Sequence, residues 1–216
     1  FGVVLHGGGD VAHGHLKSTV AGYGPYGFIR PAHFGPDWQP GVRDGERLTI
    51  LNARLQGAVA YYHAADQYPK RVYPASNERT VIYLDPTVLE VASPGYYGGL
   101  AHEMQHALHW SRDPTEEAWV NEGLSEIAAF LAGYPSGLIT SYQHKPATQL
   151  NAWAMPTEDP LSHYGASHLF FRYLANHYGG YSNLKHLVSQ SSEGINGINQ
   201  YLAILGYEET FLDVFR

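Results

Sequence analysis

Hydrophobic positions fall into two regimes along this chain: short apolar bursts in the first hundred residues, and a repeat of three to four residues thereafter. Residues 48–51 and 80–84 are β-branched runs bounded by turn residues and predict strands. Residues 2–5 predict a further short strand inside a Gly-, His- and Pro-rich stretch, 1–47, that otherwise reads as loop. Residues 55–67 fit a strand or a helix, and Pro69 and Pro74 interrupt any regular element just after them. From residue 100 the period changes: residues 100–110 and 115–132 predict two helices joined by a short link. The second is opened by Asp113-Pro114-Thr115-Glu116, which has the form of a capping box, with Asp113 as N-cap, proline at the first helical position and Glu116 reaching back. It stops at Gly133, with Pro135 just beyond. After an excursion over 136–160, residues 161–178 are helical in pattern up to Gly179-Gly180, and shorter helices are expected near 182–190, 195–205 and 208–215. Early strands and late helices without βαβ alternation predict an α+β fold: a small N-terminal β-sheet (1–98) followed by a mainly helical half (99–216) within one domain.

Composition narrows the chemistry. At 216 residues the chain can bury most of its apolar surface without staples, and having no cysteine it offers neither disulfides nor thiolate ligands. A formal charge of −7 with only 13 Lys+Arg, and no basic run, speaks against a nucleic-acid partner. No apolar stretch is long enough for a transmembrane helix. The chain opens at Phe1 without Met or a positively charged start, as expected where any signal peptide has been removed or was never included, and it stops at Phe215-Arg216 directly after a helical pattern, as expected of a piece of a longer protein. Its 17 tyrosines and 24 glycines are a mixture common in exported proteins, so secretion is expected.

The motif that matters most is His102-Glu103-Met104-Gln105-His106. On a helix it sets two imidazoles one turn apart, with a carboxylate rotated by about 100°. A random chain of this composition would carry such a pattern about 0.04 times, so the pentapeptide is suggestive and its neighbourhood must decide. In a zinc hydrolase three protein ligands leave a fourth position for water, whose pKa falls to about 7. His102 and His106 are the candidate ligands for Zn2+. Glu103, off the ligand face, is the candidate general base that takes the proton of the attacking zinc-bound water and passes it to the leaving amine. Glu122 and Glu126, at i and i+4 on the next helix, are the candidates for the carboxylate ligand, and both cannot bind without closing the open position. Glu122 is assigned to the metal, and Glu126 to the free N–H of a ligand imidazole, that of His102. A solvated acidic face is the competing reading of this helix, but Trp119, Leu124, Ile127 and Phe130 argue for burial.

His102-Glu103-Met104-Gln105-His106 together with Asn121-Glu122-Gly123-Leu124-Ser125-Glu126 resembles the gluzincin zinc metallopeptidases, the group of thermolysin-like enzymes and certain aminopeptidases. Within it the chain looks closest to the bacterial hyicolysin-type neutral metallopeptidases, through Tyr68-Pro69, Ser76-Asn77-Glu78-Arg79, Leu100-Ala101, Trp119-Val120 and Tyr164-Gly165-Ala166 as well. The resemblance implies a thermolysin-like catalytic fold, a protein or peptide substrate, Glu122 as third ligand and Glu126 behind it. One departure stands out: 15 residues separate His106 from Glu122, fewer than in thermolysin-like enzymes, whose spacing would land on Glu126. The resemblance also implies a Tyr or His on a later helix that stabilises the oxyanion; Tyr164 is the candidate, with His163 and His168 behind it. His109 is expected at the solvent side or behind the ligands, and His13-Gly14-His15 in a polar loop.

Three rival readings remain. Leu5-His6-Gly7-Gly8-Gly9 mimics an esterase oxyanion loop, but Gly133-Tyr134-Pro135-Ser136-Gly137 and Gly165-Ala166-Ser167-His168-Leu169 both fail the nucleophile-elbow pattern. A non-catalytic binding module should have lost one of His102, Glu103, His106 or Glu122, and all four are present. An aminopeptidase of this type would hold the substrate amine with a glutamate in a G-x-M-E-N segment; here the region reads Ser76-Asn77-Glu78-Arg79. An endopeptidase is therefore favoured, its extended substrate pairing with strand 80–84.

Overall fold

A computed structural model describes Val4–His6 and residues 48–153 and 160–216. The fold is mixed, with helices and one small sheet, and the chain divides into two compact units, Phe1–Ser111 and Arg112–Arg216.

The first unit holds four strands, β1 (Val4–His6), β2 (Thr49–Asn52), β3 (Ala60–Tyr62) and β4 (Val81–Leu84), in the order β1-β2-β4-β3. β2 runs parallel to both β1 and β4, while β3 returns antiparallel to β4. Because β4 lies between two partners and is covered on both faces, all four of its residues are buried and its sequence is continuously apolar instead of alternating. One face packs Ile50, Ile82 and Leu84 against Tyr96 and Leu100 of helix α1 (Pro94–Trp110); the other gathers Ala53, Leu55, Val81 and Tyr83, with Tyr61 stacked on Tyr83 at 4.3 Å.

This topology corrects one expectation. Strand 80–84 has neighbours on both sides, so it has no open backbone edge; the antiparallel strand at the sheet margin is β3. The division between sheet and helices also falls at Ser111, not 98/99, because α1 belongs with the sheet it covers. Helix α1 starts six residues earlier than its pattern suggests: Ser93 accepts the Tyr96 N–H at 3.2 Å and Pro94 takes the first turn, a cap that the helix-breaking look of Gly98-Gly99 obscures in the sequence. A side chain at Gly99 would meet Leu89 at 3.1 Å and Leu84 at 3.4 Å, so that glycine lets the helix sit down on the sheet.

The second unit is helical: α2 (Ala118–Leu131), α3 (Ile139–His144), α4 (Leu161–His177), α5 (Lys185–Val188), α6 (Gly194–Ile204) and α7 (Phe211–Phe215). Its core is built from Trp119, Phe171, Leu174, Ile198, Tyr201 and Leu202. The expected capping box does not open α2. Asp113 turns on Thr115 instead (3.2 Å to its N–H), and Glu116 accepts the N–H groups of Glu117 (2.6 Å) and Gly194 (2.8 Å), tying the approach to α2 to the start of α6. The helix therefore begins at Ala118, three residues later than predicted. Helix α3 lies within the excursion whose pattern suggests only loop.

The zone His13-Gly14-His15 and the glycines of Gly7-Gly8-Gly9 lie outside the described residues.

Candidate metal centre

Helix α1 turns a sequence pattern into a cluster. Tyr96 and Leu100 pack on the sheet, and Glu103 and Ala107 continue the buried stripe at steps of three and four; Tyr96 is anchored by its hydroxyl on Asn52 at 3.0 Å. Glu103 shares that stripe and is buried to 6 % exposure, an expensive place for a carboxylate that served only solubility. The outer stripe, Tyr97, Met104 and Leu108, is exposed. His102 and His106 lie between the two stripes, half-buried, with their rings 4.8 Å apart and nearly perpendicular. One donor atom from each of His102, Glu103 and His106 lies within 4.8 Å of the others. Two neutral imidazoles beside a carboxylate, in a chain without cysteine, form a donor set suited to a divalent transition metal. These three residues could hold such an ion.

The loop before β4 is fixed by side chains that the sequence presents only as part of a resemblance. Asp66, buried after β3, accepts from Asn77 Nδ2 (2.8 Å) and from the Tyr83 hydroxyl (2.7 Å), and Ser76 donates to the Asp66 carbonyl at 2.9 Å. Burial, reinforced by the Asp66 charge, pushes the Tyr83 phenol far above its ordinary range and keeps it a donor. Glu78 adopts φ 53° and its Oε1 accepts the Lys70 N–H at 2.8 Å. The run Ser76-Asn77-Glu78 is thus a staple holding loop 66–80 to the end of β4. Further along, Tyr68 packs on Trp110, the last residue of α1, at 6.0 Å.

Glu122, Glu126 and Tyr164 belong to the second unit. Helix α2 is buried nearly all round, and both acids are inside it, Glu122 at 5 % and Glu126 at 3 % exposure, which overturns the solvated-face reading. Glu126 Oε2 accepts the Ser136 hydroxyl and lies 3.6 Å from His168 Nδ1. Tyr164 is half-buried on the first turn of α4, its ring edge-on to Trp153 at 4.9 Å, with His163 against the same indole at 5.7 Å. His168, one turn past Tyr164, is fully buried, behind the Glu126 carboxylate and not open to a substrate. His109 is also fully buried, with Nδ1 3.4 Å from Gln105, so the expectation of a solvent-side position fails. The exposed Ser136 hydroxyl gives its proton to a carboxylate, which is not the arrangement of a nucleophile activated by an imidazole. Sequence reasoning alone misses Ser136, and the signal that exists for it is weak: a serine shortly past a helix-ending glycine-tyrosine pair.

No protein-family model matches the chain, and no curated protein matches it.

Proposed function

We propose that this chain is a zinc-dependent endopeptidase. The observation that carries the reading is the gathering of His102, Glu103 and His106 on α1, with half-buried imidazoles and a buried carboxylate within 4.8 Å. His102, His106 and, from the sequence motif, Glu122 would hold the ion; zinc when bound supplies Lewis acidity and brings the pKa of water toward about 7. Glu103, whose carboxylate is gathered with the two imidazoles, takes the proton of the attacking water and returns it to the leaving amine, the role the sequence motif implies for it. Tyr164 is the proposed donor to the developing oxyanion. Its edge-on contact with Trp153 fixes the ring plane, which supports the assignment.

Two features favour cleavage inside chains over removal of single residues. The Glu78 carboxylate is committed to the Lys70 N–H, which leaves it poorly placed to be an amine anchor. The sheet margin next to α1 is β3, so an extended substrate would add there, at Ala60–Tyr62, and such pairing needs no terminal amine. The test is metal analysis of the purified chain beside a digest of an unstructured protein with cleavage sites mapped by mass spectrometry. One zinc per chain and internal cuts are expected; a metal-free chain that also leaves the substrate intact would end the proposal.

A further inference from the structure

We propose that Asp113 and Glu116, on the approach to α2, form a separate metal site that takes a calcium ion and fastens this approach to the start of α6. Both residues lie in the unit Arg112–Arg216, and the proposal stands whether or not the cluster on α1 holds zinc.

Asp113 and Glu116 are exposed by only 4 % and 7 %. Each commits one oxygen to the protein. Oδ1 of Asp113 accepts the N–H and the hydroxyl of Thr115, at 3.2 and 3.1 Å, and Oε1 of Glu116 accepts the N–H groups of Glu117 and Gly194. The other two oxygens, Oδ2 and Oε2, are buried and make no hydrogen bond among the described residues. The carboxylates are also close, with one oxygen of each within 4.8 Å of the other. The charges that act on them are negative: Glu193 on Asp113, and Asp113 and Glu117 on Glu116. Asparagine and glutamine would accept the same N–H groups without gathering like charges in a buried place, so the hydrogen bonds do not explain the acids. A cation that takes the two orphan oxygens does.

The donors select the ion. Carboxylate oxygens suit hard cations. Calcium sits about 2.3–2.6 Å from its oxygens, so two that share it stand at most about 5 Å apart, a span that these carboxylates meet. Magnesium sheds its water reluctantly and demands a regular octahedron, which a buried pair on an irregular link does not offer. The remaining coordination falls to water and main-chain oxygens. The surroundings hold the acids in place. Glu117 takes the Trp119 indole N–H on Oε2 at 2.7 Å and lies over Gly194, where a Cβ would come within 2.2 Å of its Oε1. Gly194 adopts φ 54°, a conformation that suits glycine, and gives its N–H to Glu116 at 2.8 Å. An ion on Asp113 and Glu116 therefore secures the link to the first residue of α6. In calcium-free solution a proton on Glu116 relieves the same repulsion, since burial pushes that carboxyl up to about 7; the ion replaces that proton.

The test uses the whole chain, freed of calcium and melted at pH 8 with calcium chloride or with magnesium chloride at matched ionic strength. Calcium sites of low ligand charge have a Kd of about 10⁻⁴–10⁻³ M, so about 10 mM calcium should raise Tm by roughly 3–11 °C. Magnesium should produce little of that rise. Asp113→Asn and Glu116→Gln keep the hydrogen-bond acceptors and should fold without the ion; each should weaken calcium by at least about tenfold and lose most of the shift, the second deciding if the first does not fold. His106→Ala and Glu209→Gln, the latter at an exposed acid elsewhere in the same unit, should keep the shift. No shift in the unsubstituted chain, an equal response to the two salts, or a calcium shift that survives both Asp113→Asn and Glu116→Gln overturns the proposal. A shift lost in His106→Ala but kept in those two variants would put the ion on α1 and overturn it equally.

Discussion

Gly123→Ala should destabilise the protein even though alanine is the better helix former. The added methyl would stand 2.4 Å and 2.7 Å from two carbons of the Phe171 ring and 3.0 Å from Ser167 Cβ, where carbon atoms normally keep about 3.5–4.0 Å. Phe171 has nowhere to retreat: it is fully buried, stacked on Trp119 at 5.8 Å and edge-on to Phe170 at 5.2 Å. Relief requires α2 and α4 to separate by the order of an ångström, and such overpacking costs about 1–3 kcal/mol. The gain in helix propensity returns only about 1 kcal/mol. A net loss of up to about 2 kcal/mol results, which for a chain of this size lowers Tm by up to roughly 8 °C. Urea unfolding and thermal melts read it directly. Repeating the substitution in a Phe171→Leu background isolates the contact, because the shorter side chain should remove most of the penalty. Gly123→Ala as stable as the parent chain, or more so, would show that helix propensity outweighs the contact and that α2 and α4 do not pack this closely.

Glu116 predicts a pH dependence. Burial first, then the charges of Asp113 and Glu117, push its carboxyl from the ordinary 4.5 up to about 7, against backbone hydrogen bonds from Gly194 and Glu117. The folded chain thus holds a proton that the unfolded chain releases, so this contribution to stability is complete below about pH 4.5 and is lost as pH rises through 7. Glu116→Gln, which keeps the acceptor for both N–H groups, should gain on the parent by on the order of 2–3 kcal/mol between pH 4.5 and 8 in denaturant titrations; parallel pH curves would refute the assignment. An N-acetylated peptide of about eight residues, enough to span strand β3 on both sides of the cut, should be cleaved internally at a rate similar to its free-amine twin. Glu78→Ala should leave that ratio unchanged, whereas a block by acetylation would make Glu78 an amine anchor.

Local periodicity controls the part of the structure that is legible in the sequence. The imidazole pair and its offset carboxylate follow from helical geometry alone, and Gly179-Gly180 delimits α4 to within a residue or two. The part that is hidden depends on partners distant along the chain. Glu116 looks like the return half of a capping box, yet its oxygen is taken by Gly194, 78 residues away. Strand 80–84 looks like a candidate edge because apolar runs do not say how many neighbours a strand has; β3, the actual margin, is three residues of Ala-Tyr-Tyr with no alternation to read. Ser93-Pro94 is a readable cap, masked by Gly98-Gly99 further along α1, the second of which fits the helix to the sheet. His168 comes to Glu126 only through the packing of α2 and α4, and Ser136 through the turn that follows α2, neither of which a residue pattern encodes.

The most direct measurement of the central claim is Glu103→Gln, assayed for bound zinc, thermal stability and peptide hydrolysis on one preparation. The glutamine keeps the size of a side chain that lies on the buried stripe of α1 at 6 % exposure, so folding should persist, and the imidazoles of His102 and His106 should keep the metal. Hydrolysis should fall by at least the ~10²–10⁴ that a general base contributes. Full zinc occupancy with hydrolysis lost is the predicted result; hydrolysis retained, in a preparation shown to be free of other proteases, would contradict the account.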